Sequence, residues 1–296
     1  MTELAQNLVD GLGRGSIYAL LALGLAVVFG VLHLLNFAHG ELVTVGAYAT
    51  YAMFLALGGN WWVFMPAAVL AATATAVATE IVAFRRVRGA SPFTLLLTSF
   101  GLSVLIQAGL RTFLSDKGRK FPKPAWVFDS VQVAGVRLEV YDLVTLTVTL
   151  AVLVGILWPL RRTLFGIALR AAAEDFDAAR LMGVQADRIL TGAFALSGFL
   201  AGIAAVLIAI RLGEAKPLMG LDPLLKAIVA TIIGGLGSMG GAVIGGFALG
   251  LAEVLFRAWL PDDLKGLTDG FVFAAIALLL VFRPHGLIRV VRAERV

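Results

Sequence analysis

Residues 191–210 read TGAFALSGFLAGIAAVLIAI, a run without a charged side chain. About 20 consecutive apolar residues are what an α-helix needs to cross the hydrocarbon core of a bilayer. Three further runs are similarly apolar: residues 62–82, 93–110 and 143–160. They are continuously apolar and do not alternate in polarity, which is typical of transmembrane helices and not of a membrane β-barrel. The sequence therefore predicts an all-α, polytopic transmembrane bundle.

The overall composition supports this fold class. Hydrophobic residues make up 60% of the 296 residues and charged residues only 15%, compared with about 25% charged residues in soluble domains. The basic residues behind the net charge of +5 lie in short segments between apolar runs, so we expect no nucleic-acid partner. The chain has no cysteine, which excludes disulfides and thiolate metal sites. We expect about eight spans in a single transmembrane domain, residues 1–296.

Basic residues between the apolar runs predict the orientation in the membrane. Three arginine-rich segments, near residues 85–88, 161–188 and 283–295, are assigned to the cytoplasm because an even number of runs separates each pair. The C-terminus is then cytoplasmic, whereas the N-terminus and loop 114–140 are outside. Five basic residues in that loop count against the assignment, and its acidic residues offset them.

Two apolar segments have unusual centres. Residues 36–41 read NFAHGE, and residues 234–241 read GGLGSMGG. Interrupted hydrophobic segments in corresponding positions are typical of a substrate path at the bilayer midplane, where non-helical backbone is tolerated if it lines a cavity. The alternative is that both centres are turns between paired helices. We predict interrupted or re-entrant helices near 36–41 and 234–241.

The candidate substrate-pathway or gating residues lie in these two centres. Ionisable side chains at membrane depth are costly and usually serve a transport path. The structural alternative is that Asn36 caps a helix and that His39 and Glu41 face water in a turn. The glycines are interpreted first as close helix packing and second as a nest of amides for an anion. No metal site is predicted, because the histidines lack the spacing of a zinc motif. The full candidate set is Asn36, Phe37, His39, Gly40, Glu41, Gly234, Gly235, Gly237, Ser238 and Gly240.

The stretch 161–188 is predicted to be a cytoplasmic loop with a helix of its own. Residues 165–183 are rich in alanine and leucine, which favours a short amphipathic helix. Gly183 suits a helix C-cap, and Met182 is interpreted as a packing residue. Such a helix can lie on the membrane, pack on its own bundle or dock into a soluble partner, and composition does not choose between these. The apolar stripe of the helix is Leu169, Ala172, Phe176 and Ala179.

Three stretches together resemble the LivH-type permeases of high-affinity branched-chain amino-acid ABC transporters. Residues 177–183, DAARLMG, match the acidic-Ala-Ala and glycine pattern of the permease loop in bacterial ABC importers. Residues 36–41 and 234–241 are similar to the other two signatures of that family, in the same order. The resemblance covers essentially the whole chain. The Ile-x-Leu-Pro ending of the general importer loop is absent after Gly183, as is common in this branch.

The resemblance implies a non-catalytic subunit of an importer that moves branched-chain or other hydrophobic amino acids across a bacterial inner membrane by alternating access. The implied partners are a second, LivM-type permease, two cytoplasmic ATP-binding subunits and a periplasmic solute-binding protein. The sequence has no GxxxxGK[ST] motif, so we expect ATP and Mg²⁺ on the partner subunits and no cofactor on this chain. The residues implied to couple to the ATPase are Arg170, Glu174, Asp175, Asp177, Ala178, Ala179 and Gly183.

A stand-alone secondary carrier or channel is the alternative function, with Glu80, His39 or Glu253 as a proton relay. An intramembrane enzyme would need a nucleophile and base or a metal constellation, and no predicted helix offers one. We expect Glu80 to pair with Arg85 or Arg86, and Glu253 to line an interface between two permeases.

Overall fold

The computed structural model describes residues 2–58, 61–114, 117–133, 135–283 and 286–288. Within these residues, eight helical segments are long and apolar enough to cross a bilayer. This confirms the predicted polytopic helical bundle. Most of the predicted basic tail, residues 289–295, lies outside the described residues.

The α-helices follow the apolar runs and the loops between them. In chain order they are α1 (Thr2–Leu32), α2 (His39–Leu57), α3 (Trp61–Thr79), α4 (Arg85–Val87), α5 (Pro92–Phe113), α6 (Val140–Arg162), α7 (Leu164–Glu174), α8 (Phe176–Leu181), α9 (Ala186–Leu212), α10 (Leu221–Gly234), α11 (Met239–Trp259) and α12 (Thr268–Phe282). A π-helical turn, Glu80–Phe84, joins α3 to α4, and 3-10 turns cover Ala125–Phe128 and Asp262–Leu267.

Among the described residues, four short strands lie outside the helices. They are β1 (Arg119–Lys120), β2 (Ser130–Val133), β3 (Val136–Glu139) and β4 (Glu214–Ala215). Strands β2 and β3 form an antiparallel hairpin in which Ser130 is opposite Glu139. Strand β1 pairs antiparallel with β4, with Arg119 opposite Ala215. These pairs close the loops at one end of the bundle.

Helices α1 and α9 form the centre of the bundle and are buried over most of their length. Helix α11 lies antiparallel against α1, with Gly246 against Ala19 and Gly250 against Gly15. A Cβ at either glycine of α11 would come within 2.3–2.4 Å of the backbone of α1. Small residues let membrane helices approach this closely, so the glycine content of α11 is explained by packing.

The bundle has two distinguishable ends. At one, here called the hairpin end, Gln6 of α1 exchanges hydrogen bonds with the backbone of Arg137 in β3. At the other, the α7 end, Ala173 of α7 lies against Gly30 of α1. Helix α6 connects the two, since it begins directly after β3 and ends beside α7. The arginine-rich segments 85–88 and 161–188 therefore lie at the α7 end, and the described part of loop 114–140 lies at the hairpin end, as predicted.

Helix α1 reaches the α7 end, but α2 begins deep inside the bundle. Nδ1 of His39, the first residue of α2, lies 2.9 Å from Oγ of Ser197. Ser197 is eleven residues into α9, about 16 Å from its start. Two residues later, Glu41 bonds Ser103, the midpoint of α5. The connection between α1 and α2 is therefore non-helical backbone at membrane depth, which confirms the predicted interruption near 36–41.

Helix α10 is the second interrupted element. Its 14 residues make it about 21 Å long, which is shorter than a span. It follows Gly220, whose N–H donates to Oγ1 of Thr44 in α2 at 3.2 Å, so it begins inside the bundle. It ends at Gly234, which is in contact with Gly241 of α11.

The turn from α10 to α11 explains the glycine-rich sequence. Gly235 and Gly237 have φ angles of 104° and 91°, a region that favours glycine. Ser238 then begins α11, because its Oγ accepts the N–H of Gly241 at 2.9 Å as a helix N-cap. For 234–241 the structure shows the alternative, a turn between paired helices, which consists of a helix end, a turn and a helix start. The interruption inside the bundle lies before α10, at Gly220.

The predicted single helix over residues 165–183 is wrong. Asp175 divides it into α7 and α8, because this residue has an extended backbone with φ −151°. Its carboxylate accepts the N–H groups of Asp177 and Ala178 and so caps the start of α8. The predicted apolar stripe still faces the bundle, and its buried members are Leu169, Ala172 and Ala179.

Candidate functional site

The first turns of α2 meet three other helices in the middle of the bundle. We call this set the central junction. Its members come from α2, from α5, from α9 and from the residue before α10. They are His39, Gly40, Glu41, Thr44, Ser103, Gln107, Ser197 and Gly220.

His39 is fully buried between α1 and α9. Its Nδ1 shares a hydrogen bond with Oγ of Ser197 at 2.9 Å. Its ring occupies the space left by a missing side chain on α1, because a Cβ at Gly24 would lie 2.9 Å from Cε1 of the imidazole. The water-facing alternative for His39 is therefore wrong.

Glu41 places a carboxyl group at the midpoint of α5. Its Oε1 accepts hydrogen bonds from Oγ of Ser103 at 3.0 Å and from Nε2 of Gln107 at 2.7 Å. The residue is fully buried, so the water-facing alternative is wrong here as well. Burying an ionised carboxylate without compensation is costly, and these two donors supply part of that compensation. An ionisable group held at this depth typically serves a transport path.

Gly40 and Gly220 bring two backbones into direct contact. A Cβ at Gly220 would lie 1.9 Å from the carbonyl oxygen of Gly40, and a Cβ at Gly40 would lie 2.7 Å from the carbonyl oxygen of Gly220. The start of α2 and the start of α10 are thus packed without side chains between them. No ligand fits between these two residues unless the helices separate.

Asn36 and Phe37 shape the approach to the junction. Oδ1 of Asn36 accepts the N–H of Ala38 at 3.0 Å, and its carbonyl accepts the N–H of His39. Phe37 packs edge-on against Phe100 of α5, with 6.4 Å between ring centroids. Both contacts fit the structural interpretation: Asn36 closes a turn before α2, and Phe37 fills apolar space.

The glycines of 234–241 lie apart from the central junction. Gly234 is 14 residues beyond Gly220 along α10, about 21 Å away. A Cβ at Gly234 would lie 2.1 Å from the carbonyl oxygen of Gly241, whereas nothing lies within 4 Å of one at Gly237 or Gly240. The close contact supports the packing interpretation of this segment over an anion-binding nest.

A charged cluster joins α1, α10 and α11 on the other side of α1. Glu253 accepts from Arg14 at 2.9 Å and from the hydroxyl of Tyr18 at 2.7 Å, and Nζ of Lys226 lies 3.3 Å from it. Glu253 is nearly buried by these contacts. It therefore serves packing within its own chain, and its predicted place at an interface between permeases is wrong. Sequence reasoning missed Lys226, although a lysine within an apolar segment is itself a signal.

The α7 end carries the predicted coupling residues. Arg170 donates to the carbonyl of Leu160 at 2.5 Å and so ties α7 to the end of α6. Gly183 has φ 85°, and Val184 N–H donates to the carbonyl of Ala179, which confirms the predicted C-cap. The side chains of Glu174, Asp177 and Ala178 are partly or fully exposed.

The tip beyond α8 is apolar and open to solvent. Leu181 is 89% exposed and Met182 is 85% exposed. The interpretation of Met182 as a packing residue is wrong within this chain. Exposed apolar side chains at the end of a loop helix form a surface suited to a partner protein.

Glu80 lies fully buried in the π-helical turn after α3. Arg85 binds both of its oxygens, at 3.1 and 2.8 Å, and Thr191 of α9 donates to Oε2 at 2.9 Å. The predicted pairing with Arg85 is confirmed. Arg86 instead donates to the carbonyl of Val82 in its own turn.

Arg88, which sequence reasoning missed as a partner of Glu80, lies 3.5 Å from Oε1 of Glu80. Glu80, His39 and Glu253, the three candidates for a proton relay, lie in three separate clusters with different partners.

Two further junction residues could have been found from spacing. Ser99, Ser103 and Gln107 recur every fourth residue in an otherwise apolar helix, which places them on one face. Ser197 and Gly220 carry no such signal, because a lone serine or glycine in an apolar run is ordinary.

Comparison with known proteins gives a family match along nearly the whole chain. A family model described as a branched-chain amino acid transport system permease component matches residues 7–281. The permease protein BraD of a high-affinity branched-chain amino acid transport system in Pseudomonas aeruginosa is 32% identical over 98% of this chain and 97% of its own length. The permease protein LivH of the corresponding system in Escherichia coli K12 is 31% identical over the same shares.

Two further matches are weaker, one in the share of the chain that it covers and the other in sequence identity. The permease protein LsrC of an autoinducer 2 import system in Yersinia pestis is 31% identical, but only over 40% of this chain and 37% of its own length. A solved metal-chelate type ABC transporter in an inward-facing conformation superposes with a TM-score of 0.52 at 18% identity, covering 94% of this chain and 85% of its own. That structure supports the fold alone.

Proposed function

The chain belongs to the family of branched-chain amino acid transport system permease components, and from this membership we propose that it carries branched-chain or similar hydrophobic amino acids through an ATP-driven importer. We assign it to the bacterial inner membrane, because eight of its described helical segments are long and apolar enough to cross a bilayer. We assign the α7 end to the cytoplasm, because the arginine-rich segments 85–88 and 161–188 lie there. The N-terminus is then periplasmic and the C-terminus cytoplasmic.

The observation that carries this proposal is the form of the α7 end. Of the three arrangements open to the loop helix, packing on its own bundle accounts for the stripe of α7 and α8. It does not account for Leu181 and Met182, which stay exposed at the tip. We assign this tip to a groove of an ATP-binding subunit, and the whole loop 161–188 to coupling. The coupling set is Arg170, Glu174, Asp175, Asp177, Ala178, Ala179 and Gly183.

The proposed assembly contains a second, LivM-type permease, two ATP-binding subunits and a periplasmic solute-binding protein. The sequence of this chain lacks a P-loop motif, so we assign ATP and Mg²⁺ to the ATP-binding subunits and a non-catalytic role to this one. Residues 1–296 act as one permease domain.

The central junction is the proposed gate. Closure of the ATP-binding subunits would rock the helices as rigid bodies and separate the starts of α2 and α10 at Gly40 and Gly220. This movement would open the packed region around Glu41 and His39 to a substrate. Asn36 and Phe37 hold the shape of the interruption before α2, and the glycines of 234–241 hold the turn between α10 and α11.

The test is uptake of labelled leucine by liposomes that contain the complete complex. We expect uptake only with ATP inside and the loaded binding protein outside, and none from the permeases alone under a proton or sodium gradient. Gradient-driven uptake by this chain alone would instead establish the carrier alternative. Identifying the ligand that copurifies with the binding protein then fixes the substrate.

A further inference from the structure

We propose that Arg88 is the positioning residue that transmits movement of α8 to the interior of the bundle. The inference rests on the proposed function, because it takes the α7 end as the contact with an ATP-binding subunit. It concerns a residue outside the loop 161–188.

One guanidinium touches three separate elements. Nη1 of Arg88 pairs with Oδ1 of Asp187 in the first turn of α9. Nη2 of Arg88 lies 3.5 Å from Oε1 of Glu80 in the π-helical turn. The Cζ atom lies 5.0 Å from the ring centroid of Phe176, the first residue of α8. The Arg88 side chain is only 17% exposed and Glu80 is fully buried, whereas the Asp187 side chain is 63% exposed. Because Arg88 contacts all three elements, α8 cannot shift without straining these contacts.

Arginine is the one side chain that can make this set of contacts. Its guanidinium is planar, so its edges bind two carboxylates while its face stacks on an aromatic ring. A lysine ammonium has the same charge, but it lacks the planar group whose edges bind two carboxylates and whose face stacks on a ring. The charge-conserving change Arg88→Lys therefore separates geometry from charge.

The contact at Asp187 leads to the central junction. Asp187 and Ser197 lie ten residues apart on the continuous helix α9, about 15 Å along its axis, and Ser197 holds His39. A rigid helix carries displacement from one end to the other. The route thus runs from Phe176 through Arg88 and α9 to the start of α2.

The surroundings of Arg88 leave room for movement. A recess of about 490 Å³ lies beside Arg88. Its lining includes Phe176 and Asp187, and also the exposed residues Asp177 and Arg180. Glu80 sits in a π-helical turn, a form that often marks functional positions. Glu80 also keeps Arg85 and Thr191 as partners when Arg88 is changed, so substitutions at Arg88 do not leave a buried carboxylate unpaired.

The experiment uses the complete complex in liposomes and compares wild type with R88K, R88Q and F176L. We expect each variant to lower transport per ATP, and the stimulation of ATP hydrolysis by loaded binding protein, by about fivefold or more. Assembly with the ATP-binding subunits, basal hydrolysis and the half-saturating concentration of loaded binding protein should stay at wild-type values. The double variant R88Q/F176L should be no worse than R88Q, because both changes break the same route.

The matched control is R86Q. Arg86 lies on α4, two residues before Arg88, and its guanidinium donates to the carbonyl of Val82 in its own turn, so we expect wild-type coupling. Three outcomes would each overturn the inference. The first is wild-type transport per ATP in R88K. The second is a loss in R88Q/F176L equal to the product of the single losses, and the third is failure of the R88 variants to assemble. Absence of amino-acid uptake by the wild-type complex would overturn the proposed function instead. Stimulation of ATP hydrolysis, read in the same samples, still tests Arg88 in that case.

Discussion

Nδ1 of His39, the first residue of α2, lies 2.9 Å from Oγ of Ser197 in the buried middle of α9. This hydrogen bond fixes the unwound connection after α1 to a helix that begins at the α7 end. Removing one partner of a buried hydrogen bond leaves the other unsatisfied, at a cost of about 1–3 kcal/mol. We expect Ser197→Ala to lower the midpoint of thermal unfolding and to slow uptake.

The control for this change is Ser99→Ala. The hydroxyl of Ser99 is also buried but donates to the carbonyl of Leu96 in its own helix, so its loss leaves no side chain unpaired. Equal effects of the two substitutions on unfolding and uptake would show that the hydrogen bond to His39 contributes no more than a hydrogen bond within one helix.

The carboxylate of Glu41 gives a second prediction. Glu41→Gln removes the charge but keeps an oxygen that can accept from Ser103 and Gln107, and its NH2 group replaces Oε2, which is buried without a hydrogen-bond partner. A buried donor without an acceptor is destabilising, so we expect reduced uptake and a lower unfolding midpoint. The swap Glu41→Gln with Gln107→Glu returns a carboxyl group to the junction with the same atoms and charge, and should recover stability. Wild-type uptake by Glu41→Gln alone would mean that transport does not need the carboxylate.

Gly40 gives a third prediction. A Cβ at this position would lie only 2.7 Å from the carbonyl oxygen of Gly220. Gly40→Leu should therefore abolish uptake, because α2 and α10 can no longer close. Gly101→Ala in α5 is the control, since nothing lies within 4 Å of its Cβ position. Normal uptake by Gly40→Leu would contradict a gating role for the junction.

Gly183 gives a fourth prediction. Its φ of 85° disfavours residues with a side chain, by roughly 1–2 kcal/mol, while nothing lies within 4 Å of a Cβ there. Gly183→Ala should lower stimulation of the ATPase without affecting membrane insertion, and Gly183→Asn should do so less, because asparagine tolerates this backbone region.

The side chain of Glu174 is exposed and belongs to the same assignment. We expect Glu174→Ala to uncouple stimulation of the ATPase by the loaded binding protein. Insertion, measured by the amount of protein in the membrane fraction, should not change. Wild-type stimulation in both Gly183→Ala and Glu174→Ala would refute the coupling assignment of loop 161–188.

The pair of Lys226 and Glu253 gives a fifth prediction, on stability. Removing one partner of a buried ion pair is strongly destabilising, by about 3–5 kcal/mol, and Glu253 retains Arg14 and Tyr18, so we expect Lys226→Met to fall below this range. Lys226→Met with Glu253→Gln should cost less than the sum of the single changes. Additive shifts in unfolding midpoint would show that the two groups act independently.

The spans could be read from the sequence because transmembrane length and apolarity are local properties. The interruption at 36–41 could also be predicted, since Asn36, His39, Gly40 and Glu41 contrast with their surroundings. The residues that this segment contacts could not be predicted. Its partners Ser103, Ser197 and Gly220 are far along the chain, and their packing against α2 depends on the tertiary structure.

The two errors have different physical causes. The break at Asp175 is local: alanine-rich composition predicts a helix, but the carboxylate that caps α8 overrides the propensity of its neighbours. The partners of Glu253 are not local, because Arg14, Tyr18 and Lys226 belong to other helices. A local sequence pattern identifies Glu253 as an unusual side chain, and it does not identify the helices that satisfy it.

The contact between Gly40 and Gly220 has an evolutionary consequence. A Cβ at position 220 would meet the carbonyl oxygen of residue 40 at 1.9 Å, and every amino acid carries that oxygen. A substitution at one position therefore cannot be compensated by a change at the other. Both positions should be invariant glycine among relatives that share this packing. Methods that infer contacts from correlated substitutions will not detect this one, although it holds the two interrupted helices together.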